Sequence, residues 1–159
     1  MQHEDLVAQL WVEMKLMGET LSEVEALLRD IGDAEPAPRD RAATAHFLED
    51  LYMGLENTLV RICKELGVKL PSGASWHIEL LAQFTDPSDP PLPALLDQPL
   101  RRDVNEYRRF RHLATHGYGV SLEWSRMSPL AAEARRVFGT FLSRLEACIA
   151  TLPQDDASS

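Results

Sequence analysis

The chain of 159 residues has only two cysteines, Cys63 and Cys148. Two are too few for the disulfide framework of a small secreted fold. No apolar run approaches the ~18 residues of a membrane span, so no membrane partner is expected. The formal net charge is -9, which excludes a general nucleic-acid coat protein but leaves room for a local basic site. No stretch of four or more residues alternates as a strand would, and no internal repeat is visible. Met1 to Asp5 is acidic and lacks the charged-then-apolar layout of a signal peptide, so the cytosol is the expected compartment. What is present is ordinary for a globular protein: 45% hydrophobic and 26% charged residues, in a length that suits one domain.

Most of the chain has helical period. Leu6, Leu10, Met14, Met17, Leu21, Val24, Leu28 and Ile31 recur in steps of three and four, marking one buried helix face. Residues 33–38 form a loop by composition. Leu48, Leu51, Tyr52, Leu55, Leu59, Ile62 and Leu66 define a second helix, ended by Gly67. Ser75 is placed to cap a short helix from Trp76 to Phe84. Residues 86–93, with four prolines, are expected to be irregular. A fourth helix starts near Pro99 and runs to about Thr115. Ser128 and Pro129 read as the cap and first turn of a last helix, with Leu130, Ala134, Val137, Phe141, Leu145, Cys148 and Leu152 inward. The expected fold is all-α, an antiparallel bundle of four longer helices and one short one, in a single domain over residues 1–152. Residues 153–159 read as a frayed, disordered tail.

The informative segment is Leu100 to Gly119. Between Arg101 and His116 lie five arginines and two acids, a window of +3 in a chain of -9. Most such runs are solvated helix faces. Two details set this one apart. At 100° per residue, Leu100, Val104, Tyr107, Ala114 and Tyr118 share a seam, and Arg111 falls on it. An arginine on an apolar face needs its charge matched. On the other side Arg102, Asn105, Arg109, His112 and His116 form one basic stripe, suited to phosphate.

Arg111 to Tyr118 spells R-x-x-x-x-H-x-Y. This resembles the signature of the HEPN superfamily of ribonucleases and, with the tyrosine, its HepT toxin branch. The blocks Ala43–Gly67, Leu70–Leu81 and Tyr107–Gly119 resemble one HepT-like subfamily in the same order, covering about Arg41 to Leu152. The resemblance implies a metal-independent endoribonuclease, with no cofactor, that acts as the toxin of a toxin–antitoxin pair. It implies a homodimer with both motifs at a shared cleft. It also implies a minimal nucleotidyltransferase antitoxin that transfers AMP to the motif tyrosine, here Tyr118.

The chemistry suits those residues. Metal-free RNA cleavage needs a base for the ribose 2'-hydroxyl, an acid for the leaving oxygen and positive charge on the phosphorane. Histidine exchanges protons near neutral pH, and guanidinium stays charged and offers a fork of donors to phosphate. His116 is therefore assigned to proton transfer and Arg111 to the phosphate, with Arg102, Arg108, Arg109 and His112 as substrate contacts. Five residues of ideal helix put Arg111 and His116 about 140° apart. Either the helix distorts before Gly117 or the site is shared between two chains. Tyr118, flanked by glycines, reads as an accessible modification site; the alternative is an aromatic packed at a helix end.

Other residues have plainer readings. His112 and His116 are spaced to chelate a metal, but HExxH and Glu-x-x-His are absent and no metal site is expected. Trp76 reads as core and His77 as a surface residue, or else as a supporting group near the cleft. Glu49, Asp50, Glu56 and Asn57 on the second helix are candidates to pair with Arg111 or orient His116. His3 and His46 read as surface residues. Cys63 and Cys148 read as small buried hydrophobes. The first helix serves either core packing or dimerisation. Two rival functions remain: a non-catalytic HEPN module binding a nucleotide or a partner protein, and a helical adaptor whose stripe meets an acidic surface.

Overall fold

A computed structural model describes residues 3–116 and 123–152, apart from the side chain of His116. Five helices follow in order: α1 (Glu4–Ile31), α2 (Pro38–Glu65), α3 (Trp76–Gln83), α4 (Gln98–His116) and α5 (Trp124–Thr151). Among the described residues there is no strand beyond one isolated bridge, Thr85 to Leu96. The fold is the all-α bundle that the periodicity predicts. Gly117, Tyr118, Gly119 and residues 153–159 lie outside the described residues.

The apolar seams account for the packing. One continuous core joins Leu10, Leu21 and Val24 of α1 to Leu51, Leu55 and Leu59 of α2, Leu80 and Leu81 of α3, Val104 and Tyr107 of α4, and Phe138, Phe141 and Leu145 of α5. α1 and α2 run antiparallel: Arg61 bonds Gln9 at 2.9 Å, and Gly54 faces Met17. A Cβ at Gly54 would stand 2.8 Å from Met17 Cγ, so the missing side chain sets this close approach. α4 and α5 are also antiparallel, joined by Asp97–Arg144, Asp103–Arg136 and the Tyr107 hydroxyl, which donates to the Leu130 carbonyl at 2.6 Å. Burial pushes the Tyr107 phenol up from its ordinary pKa, which keeps it a donor.

Helix ends show where composition was a good guide and where it was not. Gly67 sits at φ 67° and closes α2, its successor's N–H reaching back to the Cys63 carbonyl at 2.9 Å. That six-to-one bond needs a left-handed residue, which glycine adopts without strain. Ser75 occupies the N-cap of α3 but makes no capping bond; its hydroxyl is 3.4 Å from Glu79 Oε1 instead. α4 begins at Gln98 and is capped by Asp97, whose Oδ1 accepts the Leu100 N–H at 2.8 Å.

α5 departs from expectation. It begins at Trp124, so Ser128 is no cap and Pro129 lies inside the helix. Pro129 offers no N–H to Ser125, but near the helix start that loses only one bond. Met127 and Ala131, both buried, fix the early turns against the core. The proline-rich connection between α3 and α4 is irregular as expected, yet it belongs to the core. Phe84, Leu92, Leu95 and Leu96 are buried, and Asp86 N–H donates to the Leu96 carbonyl at 2.8 Å. This pinned connection fixes α3 against the start of α4.

A candidate phosphate site between α3 and α4

The C-terminal half of α4 carries the candidate residues. Leu100, Val104, Tyr107 and Phe110 are buried along one face. Arg102, Arg109 and His112 are exposed and Asn105 is half-buried, so the described part of the basic stripe faces outward. Arg111 lies near the angle of the apolar seam but is only half-buried. Its neighbours there are not the apolar ones expected. It lines a cleft of about 140 Å³ with His77, Arg108, His112 and Thr115. The core continues past this level, with Phe110 buried and Ala114 packed against it, while His77 of α3 lines the cleft beside Arg111.

The acid behind the cleft is Glu56. It is one of four buried polar or charged residues among those described, at 8% exposure. Its Oε2 is 2.7 Å from His77 Nδ1. A carboxylate only accepts hydrogen bonds, so Nδ1 carries the hydrogen and Nε2 is the imidazole's remaining acceptor. The Tyr52 hydroxyl is buried one helical turn before Glu56. Burial and the nearby Glu56 carboxylate push its pKa up, while the charges of Arg108 and Arg111 oppose the rise. Tyr52, Glu56, His77, Arg108 and Arg111 therefore belong to one electrostatic neighbourhood.

The arginines divide by partner. Arg109 pairs with Glu106 at 3.4 Å, and Arg108 donates from Nε to Asn105 Oδ1 at 2.7 Å. Among the described residues Arg111 has no ion pair and no hydrogen bond from its side chain. A half-buried guanidinium without an acid is poised for an external anion. Of the four α2 candidates, Glu56 faces His77 rather than Arg111, Asp50 pairs with exposed His46 at 3.1 Å, Asn57 is exposed, and Glu49 is half-buried with no ion pair to Arg111 among the described residues. His3 is half-buried against Glu65 at 3.4 Å rather than free on the surface. Cys63 is buried and Cys148 half-buried, and burial pushes both thiols up, as small hydrophobes require.

α4 runs as unbroken α-helix through His116. Ideal geometry thus keeps positions 111 and 116 about 140° apart around the axis. The His116 side chain and all of Tyr118 lie outside the described residues. Among the described residues no group of three or more His, Cys, Asp or Glu could hold a metal ion. No described helix is long and apolar enough to cross a membrane.

The all-α fold is consistent with a HEPN-like helical bundle. Residues 43–152 match the family model described as HepT-like protein, and the chain belongs to that family. The match begins inside α2 and ends just after α5. α1 lies outside it, yet gives the core six buried side chains. No curated protein and no solved structure matches the chain.

Proposed function

We propose that this protein is a metal-independent endoribonuclease, the toxin of a HepT-type toxin–antitoxin pair acting in the cytosol. The observation that carries the reading is Arg111: half-buried, without an acid partner among the described residues, in one cleft with Arg108, His77 and His112. Arg111 grips the scissile phosphate and stabilises charge on the phosphorane, with Arg108 and His112 beside it and Arg102 and Arg109 along the approaching strand. His116 transfers a proton. Because α4 is unbroken between the two, Arg111 of one copy acts with His116 of the other, in a homodimer whose motifs meet at one cleft. A minimal nucleotidyltransferase silences the enzyme by transferring AMP to Tyr118, which adds charge and bulk to the motif.

Expression in a bacterial host tests the activity. Wild type is expected to arrest growth and to yield RNA fragments with 2',3'-cyclic phosphate ends, formed equally in excess EDTA. Arg111→Ala and His116→Ala are expected to do neither. Normal growth and intact RNA with folded wild-type protein would refute the nuclease reading.

A further inference from the structure

We infer that Glu56 and His77 form a second catalytic element of the cleft, with His77 as the general base that takes the ribose 2'-hydroxyl proton. The inference rests on the proposed ribonuclease reading and adds to the motif a residue from another helix. Three observations carry it. His77 lines the same cleft as Arg111, Arg108, His112 and Thr115. Its Nδ1 is held at 2.7 Å by a carboxylate that is itself buried. That bond fixes the tautomer and leaves Nε2 as the lone-pair nitrogen of a half-exposed ring.

A surface histidine needs none of this. Burying Glu56 costs free energy unless its partner returns it, and its partner is the one imidazole on α3. A carboxylate behind an imidazole orients the ring and stabilises the imidazolium that forms when it takes a proton. The groups facing His77 are Glu56 and, behind it, Tyr52 on α2, with Arg108, Arg111 and His112 on α4. Arg108 and Arg111 hold the phosphate beside His77, and the Glu56 carboxylate orients its ring.

The step balances without water or metal. The 2'-oxygen attacks phosphorus as His77 Nε2 removes its proton, and a bond forms between the 2'-oxygen and phosphorus. The bond from phosphorus to the 5'-oxygen breaks, and that oxygen leaves as a hydroxyl on receiving the proton of His116 imidazolium. The products are a 2',3'-cyclic phosphate and a 5'-hydroxyl. The enzyme ends with His77 protonated and His116 neutral, and exchange with solvent restores both.

The test uses the full-length protein and total cellular RNA in EDTA, scored by single-turnover formation of cyclic-phosphate ends. His77→Ala is expected to slow cleavage about 10²- to 10⁴-fold with RNA binding unchanged, to lose the acid limb of the pH–rate profile, and to regain rate in added imidazole. Glu56→Gln, a conservative change at the buried site, is expected to give a smaller loss and to leave that limb in place but displaced. Cleavage by His77→Ala at the wild-type rate, with Arg111→Ala inactive, would overturn the role of His77 and leave the nuclease reading intact. A slow His77→Ala with an unchanged pH profile and no imidazole rescue would also overturn it, by showing a structural role. Wild type and Arg111→Ala equally inert would overturn both.

Discussion

Arg111 is the residue whose replacement says most. Its guanidinium has no acid partner among the described residues, so in the free protein it stabilises little by pairing. Arg111→Ala should therefore change folding stability by no more than about 0.5 kcal/mol, and Tm by about 2 °C or less in a chain of this size. Its effect on cleavage should be far larger. Two charge-assisted hydrogen bonds from the guanidinium fork to the phosphorane contribute about 1.5–3 kcal/mol each. Losing both raises the barrier by about 3–6 kcal/mol, or roughly 10²- to 10⁴-fold in rate. Arg111→Lys keeps the charge but not the fork, and should fall between, roughly 10- to 10²-fold slow. Arg108→Ala should lose about tenfold, since its Nε is already held by Asn105. Single-turnover cleavage and thermal melting on the same preparations give both quantities. An Arg111→Ala protein that melts and cleaves like wild type would refute the assignment of the phosphate to this guanidinium. One that fails to fold would refute the claim that Arg111 carries no structural load.

Three further outcomes follow from the same geometry. Mixing inactive Arg111→Ala and His116→Ala proteins should restore roughly a quarter of wild-type cleavage, because half of randomly exchanged dimers are mixed and one of their two sites is intact; no recovery after demonstrated subunit exchange would place each site within one chain. Mass spectrometry of the protein co-expressed with a nucleotidyltransferase encoded beside it should find AMP on Tyr118, and an inactive complex with unmodified Tyr118 would contradict this. Arg144 and the Leu100 N–H hold the Asp97 carboxyl below its ordinary pKa, so its contribution is complete above that ordinary value and is lost as pH falls through the lowered one. Asp97→Asn should accordingly be less stable than wild type to urea at neutral pH, with the gap closing as pH falls below the ordinary carboxylate range, whereas a gap independent of pH would show that the pairing does not matter.

Much of the bundle is legible in the sequence because steps of three and four survive any tertiary context. Leu6 through Ile31 and Leu48 through Ile62 state which face is buried, and the structure buries it. Signals that depend on a single residue fared worse. Ser128–Pro129 has the chemistry of a helix start, but Met127 and Ala131 on either side are core residues, and their burial extends α5 back to Trp124. Phe110 escaped the seam of α4 because a wheel drawn from Leu100 places it at the edge, which the packing includes. The stripe of Arg102, Arg109 and His112 is periodic, and its exposure was readable. The Glu56–His77 pair was not. The two residues are 21 apart on different helices, and nothing local in either sequence block specifies their meeting. Each residue is a candidate on its own, Glu56 as a partner for Arg111 or His116 and His77 as a supporting group near the cleft, but the sequence does not join them to each other.

The surplus of acid in this chain looks hostile to RNA, and the distribution of pairs shows why it need not be. Arg135 is paired with Glu25, Arg136 with Asp103 and Glu133, Arg144 with Asp97, Arg126 with Glu123, and Arg109 with Glu106. Each pair is short-ranged and largely cancels beyond a Debye length of about 8–10 Å. Arg108 and Arg111 are different: the carboxylate behind their cleft, Glu56, is turned to His77 instead. That imidazole stands between the acid and the cleft, so Glu56 supports the base without drawing the guanidinium charge away from an incoming phosphate. Were Glu56 to pair with Arg111 directly, the cleft would lose both a cation without an acid partner among the described residues and its oriented histidine. The division of partners among α2, α3 and α4 is thus what lets a chain of -9 present two arginines without an acid partner among the described residues at one end of one helix.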